Sequence, residues 1–552
     1  MPTISFSLKD LQNLVGKKLT IDEVQELACY GKGEFEGYDK ANDEIKIDFG
    51  DTNLPYLWSV EGVARLFKSL LGKQKGIPKI KINKADYRLI VDSSVSSVRP
   101  YISAFVAKGH KIDDYLIKQL IGLQEKLCEN YGRKREKVAI GVYKYEKIKF
   151  PVHYKAADPE SVKFMPLDFR KEMTQQEILE EHPTGKEYAW ILKDAKKYPL
   201  LLDSNNSVLS FPPIINSAVT GKIEENDENL FFEATGTNME AILLATNIFA
   251  QALYERGFEI YSVDIKYPTK TITTPHLFNE TIKIKKEQIN HLLGLELKDS
   301  DIKKLLEKLQ YEYAAGKIKI PAYRKDILHQ VDIIEDIAIS YGYDNIKELP
   351  LKTFTMGSTF KITEFINKAR EILVGQGCQE ILSPILTNKN ILCDKMNIAD
   401  FGAVEIENFM SETYSCLRTW LLPVLLEVLS KNKHVEYPQK IFEEGVVTVK
   451  KDSQIKDYRR IALVYAANDA DYTKIKQILD ELMGALGFKY AIEEAEHSSF
   501  IEGRVGRVIA NGKKVAYIGE INPKVLENFR IETPVAGFEL NLCELFNSIY
   551  SK

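Results

Sequence analysis

The segment from Lys317 to Leu349 constrains the fold more than any other stretch, because it carries four carboxylates within eleven residues. These acids are Asp326, Asp332, Glu335 and Asp336. From Asp332 on, apolar residues recur at helical spacing, so the last three acids lie at positions i, i+3 and i+4 on one face of a predicted helix. Like charges at this spacing repel one another unless a cation lies among them.

Two interpretations of this acidic segment remain open on the pattern alone. Hard carboxylate oxygens without cysteine or histidine nearby suit Mg²⁺ better than a transition metal. Alternatively, the acids favour a helix N-terminus, with Asp332 near the cap. Short motifs of this kind have many false positives, so the pattern does not decide between the two.

The residues that flank the acids carry a resemblance. Tyr323-Arg324-Lys325 leads directly into Asp326, and Tyr341-Gly342-Tyr343 follows the predicted helix. With acids spaced by six, three and one residues, the segment resembles the metal-binding B5 domain of phenylalanine–tRNA ligase β subunits. The resemblance implies that Asp326, Asp332, Glu335 and Asp336 bind Mg²⁺.

Length and composition limit the class of protein. A chain of 552 residues is too long for one core and should divide into about three to five domains. With 44% hydrophobic and 28% charged residues, no apolar run of eighteen and no secretory signal pattern at the N-terminus, we expect a cytoplasmic protein without membrane contact. The net charge of -4 argues against non-specific coating of nucleic acid.

Basic runs and cysteines give weaker indications. The basic runs 79–84, 133–135 and 283–286 are either solvated faces or local RNA contacts, and the sequence leaves both open. The six cysteines are far apart and form no CxxC pair. We therefore expect buried free thiols rather than a zinc site or a disulfide framework.

The resemblance extends over the whole chain and predicts a multidomain α+β fold. It implies an N-terminal α/β domain at 1–83, a B3/B4 editing domain at 85–264, a B5 domain at 271–349 and a class II synthetase-like, catalytic-like domain at 353–552. Phrases that match the last domain include Leu417-Arg418-Thr419, Ile441-Phe442-Glu443 and Phe538-Glu539-Leu540. No convincing set of ATP-binding arginines and metal carboxylates can be assembled there, so we expect Arg418 and Arg504 to be structural or interfacial.

A second candidate site lies where a predicted strand runs into Glu233-Ala-Thr235-Gly236 before a helix that opens at Met239. Glu233 and Thr235 are two apart on the strand, so their side chains should share one face, and Gly236 would let a substrate approach the backbone. The stretch lacks the further glycines and the lysine of a phosphate-binding loop. The alternative is that neither residue belongs to a site, with Thr235 packed in the core and Glu233 exposed to solvent.

The resemblance implies that Glu233, Thr235 and Ser210 are catalytic in editing, with Leu201 or Leu202 nearby. The family often carries Asp at the positions of Glu233 and Asn238, and this chain departs from that pattern.

The resemblance also implies a function. The chain would be one subunit of an α₂β₂ ligase that joins phenylalanine to tRNA(Phe) using ATP, with adenylation on the α subunit. This subunit would provide assembly, tRNA contacts and hydrolytic editing of Tyr-tRNA, because an apolar pocket rejects an added hydroxyl poorly. The alternatives are a structural subunit without editing and a free-standing RNA-binding or trans-editing protein.

Overall fold

The computed structural model describes residues 2–51 and 53–550 and divides the chain into two compact units, Met1–Pro350 and Leu351–Lys552. Both units combine helices with sheets, which confirms a mixed α/β multidomain architecture. No helix within the described residues has the length and apolar character needed to cross a bilayer.

The first unit begins with a three-stranded antiparallel sheet, ordered β1-β3-β2, and three helices. The elements are β1 Thr3–Ser7, α1 Leu8–Val15, α2 Ile21–Cys29, β2 Gly33–Asp39, β3 Glu44–Phe49 and α3 Val60–Leu70. Helix α3 buries an apolar stripe, and charged residues of its other face are buried as well. Glu61 and Arg65 are each only 2% exposed, because they pair with Arg256 and Glu255 of a later segment.

A ten-stranded sheet follows, in the order β12-β11-β10-β7-β4-β14-β5-β13-β6, with β15 beside β14. The elements of this region are β4 Ile82–Val91, β5 Tyr101–Lys108, α4 Asp114–Lys126, β6 Val138–Lys144, β7 Val152–Ala157, β8 Lys163–Phe164, β9 Met173–Thr174, α5 Gln175–Glu181, α6 Pro183–Tyr188, β10 Tyr198–Leu202, β11 Val208–Phe211, β12 Ile215–Asn216, β13 Leu230–Gly236, α7 Met239–Glu255, β14 Glu259–Lys266 and β15 Thr271–Thr274. Strand β13 is buried along its whole length between β5 and β6. Helix α7 begins as expected, where the Asn238 side chain accepts a hydrogen bond from the Ala241 amide at 2.9 Å.

The last part of the first unit is a three-stranded sheet, ordered β16-β18-β17, with three helices. Its elements are β16 Thr281–Lys283, α8 Lys286–Leu293, α9 Asp299–Lys308, β17 Glu312–Ala314, β18 Lys317–Lys319 and α10 Gln330–Tyr341. Helix α10 is the predicted acidic helix. It buries Ile333, Ile334 and Ile337, the apolar positions that the sequence placed at helical spacing.

The second unit is built on a seven-stranded sheet, ordered β19-β22-β23-β27-β26-β25-β24. Its elements are α11 Lys361–Gly375, β19 Gln379–Glu380, β20 Leu386–Thr387, β21 Cys416–Leu417, α12 Leu422–Lys431, β22 Gln439–Lys451, β23 Gln454–Ala466, α13 Tyr472–Ala485, β24 Tyr490–Glu494, β25 Phe500–Ala510, β26 Lys513–Ile521, α14 Pro523–Asn528, β27 Val535–Asn541 and α15 Leu542–Tyr550. The leucine-rich helix α12 begins at Leu422. Pro423 lies in its first turn, a position that proline favours, and Leu417 belongs to β21.

Two arginines of the second unit form ion pairs, one buried and one exposed. Arg418 is 2% exposed and donates to Glu443 at 2.6 Å, and a side chain at Gly445 would collide with its guanidinium. Arg504 pairs with Glu520 at 2.7 Å, and its side chain is exposed. The buried pair of Arg418 is that of a structural arginine. All six cysteines are free thiols, and four of them are buried as expected, whereas Cys29 is exposed and Cys543 is half-buried.

Candidate functional site

A cavity of about 500 Å³ lies against the ten-stranded sheet, and α4, β6, β11 and β13 contribute to its wall. Ser210, Glu233 and Thr235 all line it, so the structure brings the three expected editing residues together. Leu201 and Leu202, on the neighbouring β10, are not among its described lining residues.

Strand geometry explains why Glu233 and Thr235 face the same space. Both lie on β13, two residues apart, where alternate side chains point to the same face of the sheet. On the adjacent β6, Gly141 lies opposite Glu233 and Ala139 lies opposite Thr235. The partner strand therefore presents only small residues at these two positions, which leaves room for the cavity.

Glu233 is the most unusual group of the cavity. It is 3% exposed, its Oε1 accepts a hydrogen bond from the Tyr143 hydroxyl at 2.9 Å, and its Oε2 is buried without a hydrogen-bond partner among the described residues. Burial raises the pKa of Glu233 to about 8, although Tyr143 and Arg99 oppose the shift. The carboxyl group is therefore mainly neutral at pH 7, and the alternative of a solvated Glu233 is wrong.

Tyr143 connects Glu233 to Ser210. Its hydroxyl lies 2.8 Å from Ser210 Oγ and 2.9 Å from Glu233 Oε1. Gly141 makes this arrangement possible, since a Cβ there would lie 2.6 Å from Glu233 Oε1 and would overlap the Tyr143 hydroxyl. The three polar side chains thus form one buried network that borders the cavity.

Thr235 is held by a buried arginine. Arg99 donates from Nε to Thr235 Oγ1 at 3.0 Å and from Nη2 to the Thr235 carbonyl at 2.7 Å. Burial lowers the pKa of Arg99, and its other donors reach the carbonyls of Glu136 and Arg135. Because Thr235 Oγ1 already accepts from Arg99, its own proton can be donated to an acceptor in the cavity.

The expected role of Gly236 is wrong. The space that its missing side chain leaves is occupied by the Lys137 carbonyl and, 2.6 Å from an ideal Cβ, by a methyl group of Ile242. Gly236 therefore allows close packing inside the protein, and it does not open the backbone to a substrate.

The acidic cluster lies at a second, smaller cavity of about 50 Å³, which Asp326, Asp332, Glu335 and Asp336 all line. Arg324 donates to Asp326 and, at 2.8 Å, to Asp336. Glu335 pairs with Lys32 at 3.1 Å. Asp332 instead accepts hydrogen bonds from the backbone amides of Leu328 and His329, at 2.7 Å each, ahead of α10.

These contacts test the fit of a metal ion. The donors are all carboxylates, a chemistry that suits Mg²⁺. In the arrangement seen here, residues 2–51 and 53–550 contain no group of three or more His, Cys, Asp and Glu side chains gathered closely enough to hold an ion. Protein cations and backbone amides contact the carboxylates, and Asp332 lies near the cap of α10, where it takes part in a capping box with His329.

Sequence reasoning missed Tyr143, Arg99 and Lys32. Tyr143 lies on β6 two residues after Gly141, and this spacing was the available signal. Arg99 and Lys32 are far from their partners in sequence, so no local pattern could indicate them.

Comparisons with known proteins agree with this architecture. The sequence model of the tRNA synthetase B5 domain matches residues 282–343, which include all four acids. The model of the phenylalanyl tRNA synthetase beta chain CLM domain matches residues 347–542.

Whole-chain relatives give the same result. The chain is 43% identical to the phenylalanine–tRNA ligase beta subunit of Pyrococcus horikoshii, over 99% of this chain and 100% of the relative. It is 38% identical to the beta subunit of Archaeoglobus fulgidus, over 99% of each chain. A crystal structure of an N-terminal fragment of the Pyrococcus horikoshii phenylalanyl-tRNA synthetase beta-subunit aligns with a TM-score of 0.60 and 43% identity, covering 62% of this chain and 100% of the fragment. The chain therefore belongs to the family of phenylalanine–tRNA ligase β subunits.

Proposed function

We propose that this chain is the β subunit of a phenylalanine–tRNA ligase and that the cavity around Glu233 hydrolyses tyrosine from mischarged tRNA(Phe). The observation that carries the proposal is the unpartnered, buried Oε2 of Glu233 at the wall of a cavity of about 500 Å³. A polar atom buried without a partner costs free energy, which a ligand that bonds to it recovers. The volume lies within the range of small-molecule sites.

The chemistry of the cavity suits a tyrosyl ester. Tyrosine differs from phenylalanine by one hydroxyl, and a site that hydrogen-bonds this group discriminates far better than an apolar pocket does. Glu233 and Ser210 provide polar groups for that contact. Thr235, polarised by Arg99, is a donor that can position water or stabilise the developing oxyanion of the ester.

The second unit supports the proposal of an α-subunit partner. Several of its large apolar side chains are strongly exposed, and exposed apolar patches mark protein interfaces. The residues are Leu351, Phe354, Met356, Leu382 and Met410. Because the Arg418 guanidinium is paired with Glu443, it is not free to bind ATP, and we assign adenylation to the α subunit. We also propose an α₂β₂ assembly that binds tRNA(Phe) in the cytoplasm.

The same proposal assigns the domains. It places the N-terminal domain at 1–83, the B3/B4 editing domain at 85–264, the B5 domain at 271–349 and the class II synthetase-like domain at 353–552.

Mg²⁺ binding by the acidic cluster also stays a proposal. The positive charges of Arg324 and Lys32 balance two of the four carboxylate charges. The two negative charges that remain support binding of a cation, which would compete with Lys32 for Glu335.

Co-expression with an α subunit tests the proposed function. We expect a stoichiometric complex that forms Phe-tRNA(Phe) and deacylates Tyr-tRNA(Phe), whereas this chain alone forms no Phe-tRNA. A complex that aminoacylates without deacylating Tyr-tRNA would identify a purely structural subunit. Full deacylation by the isolated chain, together with failure to bind an α subunit, would identify a trans-editing protein.

A further inference from the structure

We propose that Tyr143 is a positioning residue of the editing cavity, which orders the protons of Ser210 and Glu233 so that the two groups together match a ligand hydroxyl. This inference rests on the editing function proposed above. It concerns a residue that the sequence did not single out and that lies behind the cavity wall, fully buried.

The Tyr143 hydroxyl can donate to Ser210 or to Glu233 but not to both at once, so we assign the network a direction. The Tyr143 hydroxyl has one proton and lies within hydrogen-bond distance of Glu233 Oε1, at 2.9 Å, and Ser210 Oγ, at 2.8 Å. Donation of that proton to Oε1 requires Ser210 to donate to the Tyr143 oxygen. Protons then point from Ser210 to Tyr143 to Glu233, and the acidic proton of the neutral carboxyl lies on the unpartnered Oε2.

The consequence is a complementary pair at the cavity wall. In this order Glu233 Oε2 is a donor towards the cavity. Ser210 Oγ donates its own proton to Tyr143, so it is an acceptor towards the cavity. The two groups are neighbours because both bond to the same hydroxyl oxygen. A phenolic hydroxyl accepts one hydrogen bond and donates another, so it can satisfy both groups at once, whereas a phenylalanyl ring satisfies neither.

The surroundings hold Tyr143 in this orientation. Its ring packs against Phe231, with centroids 5.8 Å apart. Gly141 leaves the space in which the hydroxyl meets Glu233, so the network depends on the absence of a Cβ at that position.

Few charged groups face Glu233. Arg99, just before β5, and Tyr143 of β6 act on it directly, and Tyr154 of β7 lies close enough to sense its charge. Burial raises the pKa of both tyrosines well above the ordinary value. The other ionisable residues of the cavity wall are Glu125, Cys128, Arg135, Asp168 and Lys222.

The test measures Tyr-tRNA deacylation by the co-purified αβ complex from pH 6 to 9.5, after subtraction of hydrolysis without enzyme. In the parent, activity should fall above about pH 8, where Glu233 ionises. Tyr143→Phe should lower kcat about tenfold through loss of one hydrogen bond. It should also move the fall to higher pH, because the bond from Tyr143 lowers the pKa of Glu233.

Two further variants make the test specific. Glu233→Gln removes the titrating carboxyl, so the deacylation that this variant keeps should no longer fall above pH 8. Tyr313→Phe is the matched control, since its hydroxyl donates to the Asp299 carboxylate at 2.6 Å from β17, outside the ten-stranded sheet. Its pH profile should equal that of the parent.

The outcomes separate this inference from the proposed function. A parent that does not deacylate Tyr-tRNA overturns both. An active parent with an unchanged rate and profile in Tyr143→Phe overturns the role of Tyr143 alone. An inactive, folded Glu233→Gln overturns the proton order, because it would show that the ionised carboxylate is required. Should Tyr143→Phe fail to fold, the Glu233→Gln profile decides the proton order on which the role of Tyr143 rests.

Discussion

Arg324 donates from Nη1 to Asp336 Oδ2 at 2.8 Å, and this buried ion pair organises the acidic cluster. The guanidinium also bonds to Asp326 and lies over the Tyr56 ring, 5.3 Å from its centroid. Tyr56 belongs to the N-terminal part of the first unit, so the pair connects that part to α10. Arg324 therefore supplies part of the positive charge that the closely spaced carboxylates require.

Loss of this cation should destabilise the first unit strongly. Arg324→Met leaves two carboxylates, Asp326 and Asp336, in a buried setting without their partner, and breaking a buried pair in this way costs about 3–5 kcal/mol. Urea unfolding measures the effect. The control is Lys118→Met, which breaks the exposed pair with Asp114 and should leave the midpoint unchanged. Equal midpoints for the two variants would contradict the structural role of Arg324.

Magnesium should stabilise the protein through Glu335 if the acidic cluster binds the ion. We expect the thermal midpoint of the parent to rise with Mg²⁺ concentration, because a ligand that binds only the folded state stabilises it. In Glu335→Ala this dependence should disappear. Lys32→Met removes the competing cation and should strengthen the response. Equal responses of the parent and Glu335→Ala would rule out this residue as a ligand.

Glu233 should make stability depend on pH. Its folded-state pKa of about 8 lies above the ordinary value of 4.5, so between these values the folded state holds a proton that the unfolded state has lost. Stability therefore falls as the pH rises from about 5 to 8, by up to about 1.4 kcal/mol per pH unit for one proton, and this contribution levels off above 8.

Glu233→Gln provides the measurement, because it removes this titration and keeps the shape. In urea unfolding, the stability of the variant relative to the parent should increase from pH 5 to pH 8. A difference that does not change with pH would show that Glu233 is not buried in its neutral form.

Glu233→Ala should separate editing from aminoacylation. The cavity loses its unpartnered oxygen, while the adenylation site lies on another chain in our proposal. We expect Phe-tRNA formation by the αβ complex to stay near the parent rate and Tyr-tRNA to accumulate when tyrosine is supplied. Unchanged Tyr-tRNA deacylation by the variant would remove Glu233 from the mechanism.

Local pattern predicted part of this site, and tertiary contacts decided the rest. The alternation of β13 was sufficient to place Glu233 and Thr235 on one face, and the cap at Asn238 fixed the start of α7. Nothing local to Glu233 showed that Tyr143, ninety residues earlier, would bond to it. The burial of Glu61 and Arg65 has the same origin, since their partners are more than 180 residues away.

The second unit should bind a partner and not ATP. Its interior arginine is paired with Glu443, and Leu382 and Met410 are almost fully exposed, which is costly unless another chain covers them. Leu382→Asp and Met410→Asp should therefore weaken co-purification with the α subunit without changing the thermal midpoint of this chain. Ile455→Asp, at an exposed position on β23, is the matched control and should leave assembly intact. Phenylalanine-dependent pyrophosphate exchange by the isolated chain, or normal assembly of both aspartate variants, would contradict this assignment.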